Sequence, residues 1–202
     1  MPTLLLGTRN VGKIREITSI LEDSGWSFSS LREFENVGTA EENGETFTDN
    51  AIAKSRFYAT AAGVWALADD SGLEVEALAG APGVYSARYA GENASDAERR
   101  ALLLTELAQV SAAERRARFV SVVAVANAGG TVLNVSEGIC EGTITFAPRG
   151  EAGFGYDPLF VPDGYDQTFA ELPQDVKNRI SHRARALIKT YEFLKSCNPE
   201  IP

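Results

Sequence analysis

Apolar positions recur with two different spacings along the chain, and the change of spacing marks its elements. Leu4-Leu5-Leu6 is a short apolar run that stops at Gly7 and predicts a first strand. A helical period then covers residues 11–23, stopped by Gly25. The polar stretch 32–45 predicts a loop with room for one short strand. Thr46 opens a second helix over Phe47–Ala62, closed by Gly63. Residues 64–68 predict a buried strand that runs straight into Asp69-Asp70-Ser71-Gly72. A third helix is expected over 96–110, capped by Ser95 or Asp96. Residues 118–128 alternate as a strand, Asn127-Ala128-Gly129-Gly130 signals a hairpin, and 131–141 returns, with 142–146 extending the sheet. A short strand over 157–161 and a last helix over 181–195 complete the series. Helices and strands alternate early and hairpins come late. That order predicts an α/β fold with a mixed sheet rather than a purely parallel one.

Composition narrows the classes without changing that picture. With 202 residues, 44% of them hydrophobic and 23% charged, the chain supports one well-cored domain or two lobes sharing one sheet. No apolar run is long enough to span a bilayer, and the stretch from Met1 to Gly7 lacks the basic start of a signal peptide, so no membrane role is expected. Cys140 and Cys197 are too few for a disulfide framework and are expected as reduced thiols of a cytoplasmic protein. A formal net charge of −9 argues against nucleic-acid polymers as partners. It leaves room for a small polyanion, because a few lysines and a divalent cation can invert the field locally.

Four segments carry candidate chemistry. Gly7-Thr8-Arg9-Asn10-Val11-Gly12-Lys13 lies between a strand and a helix, where backbone amides and a lysine suit phosphate. The spacing matches G-x-x-x-x-G-K, yet Ile14 stands where a P-loop needs Ser or Thr for magnesium. A capped helix start with an exposed lysine fits this stretch equally well. Asp69 and Asp70 end the apolar run, and neighbouring strand residues face opposite ways, so the two carboxylates are expected to do different jobs. With Glu41, Glu42 and Glu45 upstream they form a hard-oxygen set of the kind Mg²⁺ accepts beside substrate phosphates, although acidic turns are also common on ordinary surfaces. In Gly153-Phe154-Gly155-Tyr156-Asp157-Pro158, glycines flank an aromatic ring that could stack on a base; a Gly-rich turn with core aromatics is the plainer alternative. Finally, His182 is the single histidine, preceded by Lys177 and followed by Arg183, so three donors could converge, with Arg88 adding a further charge.

Taken together the segments resemble one family, the inosine/xanthosine triphosphate pyrophosphatases. The matching pieces are Thr8 to Lys13 with Glu16, Thr46-Phe47 with Asn50-Ala51 and Lys54, and Asp69 to Leu73. The others are Pro82 to Gly91, Phe154 to Pro158, and Ser181-His182-Arg183. They cover essentially the whole chain in the right order. The chain departs from the usual pattern at Arg9, Asp49 and Ala184, without loss of a proposed catalytic group.

The resemblance implies a single ITPase-like domain over residues 1–202: a long, strongly twisted mixed sheet with flanking helices, in two lobes around an active-site cleft. It implies a homodimer in the cytoplasm. It implies Mg²⁺-dependent hydrolysis of ITP, dITP and XTP between the α- and β-phosphates, giving a monophosphate and pyrophosphate. By the same resemblance, Asp70 and Lys54 are catalytic, and Glu42 and Asp70 hold the metal. Thr8, Arg9, Asn10, Val11, Gly12, Lys13, Ser71, Phe154, Gly155, Tyr156, Asp157, Lys177, His182 and Arg183 bind the substrate. Two rival readings are a P-loop enzyme cleaving the γ-phosphate and a non-catalytic nucleotide sensor.

Overall fold

The computed structural model describes residues 1–34 and 36–197. Among these residues six strands form one sheet: β1 (Thr3–Leu6), β2 (Ser27–Ser30), β3 (Trp65–Val75), β4 (Arg116–Ala126), β5 (Val132–Ile144) and β6 (Phe160–Pro162), in the order β2-β1-β3-β4-β5-β6. β1 is parallel to β2 and β3, whereas β5 and β6 are antiparallel, so the sheet is mixed as the alternation of elements predicts. Among the described residues, five α-helices accompany it: α1 (Val11–Ile20), α2 (Phe47–Ala62), α3 (Asp96–Glu106), α4 (Gln174–Ile180) and α5 (His182–Ser196). No helix among the described residues is long and apolar enough to cross a membrane.

The chain divides into two compact units. Of the described residues, the first comprises 1–34, 36–70, 121–138 and 183–197. All three leucines of β1 are buried because both faces of the strand are covered. Leu4 and Leu6 pack with Ile17 of α1, Leu67 of β3 and Leu187 of α5, while Leu5 packs on the other face with Tyr58 and Ala59 of α2. Trp26 closes this core, its indole Nε1 donating to the Leu194 carbonyl at 3.2 Å and its ring 5.0 Å from that of Trp65. α2 begins where Thr46 Oγ1 accepts the Asp49 N–H at 3.1 Å and ends at Gly63, whose φ of 67° suits a residue without Cβ.

The second unit comprises residues 71–120 and 139–182. Its core joins Leu73, Leu103, Phe119, Ile144, Phe160, Phe169 and Leu172. Phe160 and Phe169 are among the largest fully buried side chains, each contributing about 1.5–3 kcal/mol by burial. α3 starts on a capping box in which Ser95 and Glu98 satisfy each other's backbone N–H groups.

Several expected boundaries move. β3 does not stop at the acids but continues through Asp69-Asp70-Ser71-Gly72 to Val75. α1 and α3 end earlier than the periodicity suggests, at Ile20 and Glu106. The loop expected over 32–45 lacks a strand among its described residues; the strand lies just before it, as β2. Asp157–Leu159 is a 3-10 turn, so only Phe160–Pro162 of that segment is strand. α4 was not expected, since its seven residues carry a single apolar repeat. Neither Cys140 nor Cys197 is part of a disulfide.

Candidate active site

In the first unit, two lysine–aspartate pairs meet on consecutive residues of β3. The loop after β1 is drawn in tightly: Gly7 N–H donates to the Leu67 carbonyl at 2.7 Å, and a Cβ on Gly7 would lie 2.6 Å from Tyr58 Cδ2. Thr8 Oγ1 accepts the Asn10 N–H at 3.2 Å, and Asn10 Oδ1 accepts the Lys13 N–H at 3.1 Å, capping α1. This start sends Lys13 toward the strand, with Nζ 2.9 Å from Asp69 Oδ1. Val11 is half exposed at the first turn. Thr8 and Arg9 line a hollow of about 260 Å³ together with Ile14, Ser30, Leu31 and Arg32.

Asp69 is fully buried and receives Arg183 Nε on its other oxygen at 3.1 Å. The Arg183 guanidinium also pairs with Glu16 of α1 through Nη1. Burial works against the Asp69 charge, but Lys13 and then Arg183 override it and hold the carboxyl well below the usual carboxylate range. For Lys13 the balance goes the other way. Desolvation outweighs Asp69, and the ammonium is lowered from its ordinary value.

Asp70 has different partners. Its Oδ1 lies 2.7 Å from Lys54 Nζ, and its Oδ2 accepts from Asn50 Nδ2 at 3.1 Å. Burial pushes its carboxyl up, only partly offset by Lys54. Lys54 itself is raised: desolvation opposes its charge, but Asp70 and Glu42 outweigh it. Glu42 Oε1 is 3.1 Å from the same Nζ. Asn50, Lys54 and Tyr58 follow at four-residue spacing on one face of α2. That stripe also fastens the acidic loop, as Asn50 Oδ1 accepts the Gly44 N–H at 2.8 Å and Tyr58 Oη the Ala40 N–H at 3.4 Å.

No group of three or more His, Cys, Asp or Glu side chains among the described residues gathers to hold a metal. Glu42 and Asp70 are nevertheless two hard-oxygen donors converging on one cation, Lys54 Nζ. Such a pair suits a hard divalent cation, which takes one or two carboxylates and keeps its remaining positions for water and phosphate oxygens.

In the second unit, the Gly-rich segment is pinned by Asp157. Asp157 Oδ2 accepts both the Phe154 N–H at 2.9 Å and Lys177 Nζ at 2.6 Å. The Lys177 ammonium lies 5.0 Å above the centre of the Phe154 ring. Gly153 has φ 76°, and a Cβ there would come 2.1 Å from Asp157 Oδ2, so only glycine fits. Tyr156 is buried, its hydroxyl donating to the Ser86 carbonyl at 3.0 Å. Ser71 lies on β3 at the start of this unit, and His182 stacks on Phe119 with ring centres 4.6 Å apart and planes 11° from parallel.

The three donors near the C-terminus thus have separate partners: Lys177 on Asp157, Arg183 on Asp69 and Glu16, and His182 on Phe119. Arg88 lies with its guanidinium 5.0 Å over the Tyr85 ring. The sequence reading placed Glu16 and Asn50 among the positions that carry the resemblance but gave them no role, offered Asp96 only as a helix cap, and passed over Arg100. The first two had a legible signal, since Glu16 lies one helical turn beyond Lys13 and Asn50 one turn before Lys54. Ile14, at the position a P-loop gives to Ser or Thr, packs instead against the apolar core.

Residues 4–193 match the profile of the Ham1 family. The chain belongs to the Ham1 family. Ham1 relatives are similar over nearly full length. The dITP/XTP pyrophosphatase of Desulforamulus reducens is 50% identical over 191 residues, which is 95% of this chain and 94% of the relative. That of Bacillus subtilis is 45% identical, over 97% and 98%. Among solved structures, a HAM1 protein from Coxiella burnetii superposes with a TM-score of 0.88 at 42% identity, covering 98% of this chain and all of that one. The Staphylococcus aureus Ham1 protein gives 0.84 at 40% identity, covering 96% and 98%.

Proposed function

We propose that this Ham1 protein is a Mg²⁺-dependent nucleoside triphosphate pyrophosphatase that hydrolyses aberrant purine nucleotides, ITP, dITP and XTP, to the monophosphate and pyrophosphate. The activity named for its relatives supports this reading. The observation that carries it is the pairing of Lys13 with Asp69 and Lys54 with Asp70 on consecutive strand residues. Mg²⁺ held by Glu42 and Asp70 would supply charge neutralisation at the phosphates.

Asp70 orients a water and takes its proton. Its raised carboxyl is a stronger base than an ordinary surface aspartate, and Asn50 fixes its second oxygen. Lys54 and Lys13 stabilise negative charge on the phosphoryl oxygens and the departing pyrophosphate, while Thr8 to Gly12 approach the phosphates through backbone. Asp69 has a separate duty. It anchors Lys13 and Arg183 and stays charged.

Phe154 stacks on the purine, with Gly155 and Tyr156 completing its turn and Asp157 and Lys177 holding it. Donors of His182 and Arg183 favour a base that presents an acceptor oxygen at position 6 over adenine, whose amino group is itself a donor. We further propose that the chain works as a cytoplasmic homodimer.

Product analysis with ITP and Mg²⁺ tests the reading. Release of pyrophosphate is expected; orthophosphate would instead support γ-phosphate cleavage, and no product would support a sensor.

A further inference from the structure

Gly155, the residue after Phe154, is gripped on both of its peptide groups by α3. Asp96 Oδ2 accepts the Gly155 N–H at 2.6 Å. Arg100 Nη1 donates to the Gly155 carbonyl at 2.7 Å. The two side chains are four residues apart, one turn along a single face of α3. Asp96 is itself held, because Arg99 pairs with its other oxygen. Arg99 in turn donates through Nη1 to the Ala87 and Ala94 carbonyls at 2.6 and 2.8 Å. The grip therefore stands on a braced base rather than on one loose side chain.

Gly155 needs such a grip. Its φ of 60° lies in the left-handed region, and it has no side chain to pack. On the other side of Phe154, Asp157 Oδ2 takes the Phe154 N–H. The ring of Phe154 is thus carried on a backbone tied at consecutive residues, one tie from Asp157 and two from α3.

We infer that Asp96 and Arg100 are positioning residues which set the plane of the Phe154 ring for stacking on the substrate base. The inference rests on the reading of Phe154 as a purine platform. Neither residue touches the reacting phosphates in that reading, so their effect must fall on recognition of the base. Three measurements on the full-length protein separate this from a general structural role. They are KM for ITP, inhibition by inorganic tripolyphosphate, which carries no base, and the thermal midpoint.

Arg100→Ala is expected to raise KM for ITP about tenfold, the scale of one lost charge-assisted hydrogen bond, with the loss in KM rather than kcat. Tripolyphosphate inhibition and the thermal midpoint stay at wild-type values. Arg100→Lys, which keeps a donor, recovers part of the loss. Asp96→Asn keeps an acceptor for Gly155 and is milder than Asp96→Ala. The inference is overturned if Arg100→Ala leaves KM unchanged while wild type turns over. It is equally overturned if KM, tripolyphosphate inhibition and thermal midpoint all shift together. Absence of pyrophosphate release by wild type overturns the underlying reading instead, and this one with it.

Discussion

Asp69 and Asp70 are neighbours on β3, yet each takes a different lysine: Asp69 pairs with Lys13 of α1 at 2.9 Å and Asp70 with Lys54 of α2 at 2.7 Å. Adjacent strand residues face opposite ways, so two helices on opposite faces of one strand each deliver a cation to it. Burial then splits the pair electrostatically. Asp69, with two cations, is held low, whereas Asp70, with one lysine and an amide, is pushed up. This division is the basis for treating one as an anchor and the other as a base.

Asp70→Asn keeps the shape and the contact with Asn50 but removes the base. Pyrophosphate release is expected to fall by roughly 10²–10⁴-fold, the scale of lost general-base catalysis. Circular dichroism should stay native. Near-wild-type turnover in this variant would remove Asp70 from the proposed mechanism.

Glu42 is partly exposed and shares Lys54 with Asp70. Glu42→Gln should therefore raise the Mg²⁺ concentration needed for half-maximal activity while saturating Mg²⁺ restores much of the rate. A titration curve superposing on wild type would rule Glu42 out as a metal-linked carboxylate.

His182 is tested by discrimination rather than by rate. If it donates to the 6-oxygen, His182→Ala should narrow the ratio of kcat/KM for ITP over ATP by about tenfold or more, since an unpaired polar group is the main lever on such selection. An unchanged ratio would remove His182 from the selection of the base.

Arg183 sits between two buried acids, Asp69 and Glu16, and its own ionisation is strengthened by them despite burial. Arg183→Met leaves Glu16 without this partner. A loss of about 3–5 kcal/mol in urea unfolding is expected, as when one member of a buried ion pair is removed. A loss below about 1 kcal/mol would class the pair with surface bridges.

Asp96 gives a pH signature. Burial opposes its charge, but the Gly155 N–H and Arg99 override it and lower its folded-state pKa. A depressed carboxyl stabilises the fold fully above the unfolded-state value of about 3.9 and loses that contribution as pH falls through the folded value. The stability gap between wild type and Asp96→Asn should therefore be widest near neutral pH and shrink below about pH 4. A gap independent of pH would show that the carboxylate charge contributes nothing.

Much of this molecule was legible in the order of its residues. α2 could be read to the residue, because Thr46 supplies a cap and Gly63 a left-handed stop, both of them local effects. The mixed character of the sheet followed from early helix–strand alternation and late hairpins. Placing Lys13, Lys54 and the two aspartates in one machinery needed the whole-chain resemblance, since each motif alone had an ordinary alternative.

Other features lay beyond local reading. Asp, Ser and Gly are poor strand residues, so the chain around Asp69 to Gly72 looks like the end of a strand. The strand continues to Val75 because Lys13, Arg183 and Lys54 arrive from distant segments to satisfy buried carboxylates, while Leu73 and Val75 rejoin the core. The same holds for the grip of Asp96 and Arg100 on Gly155, made across more than fifty residues of chain. Sequence by itself determined where the longer helices lie and the kinds of groups available, because those depend on neighbours within a turn or two, although it missed the short α4 and overran the ends of α1 and α3. Which charge faces which was decided only in the tertiary structure, since a buried ion pair is set by where two remote backbones bring their side chains.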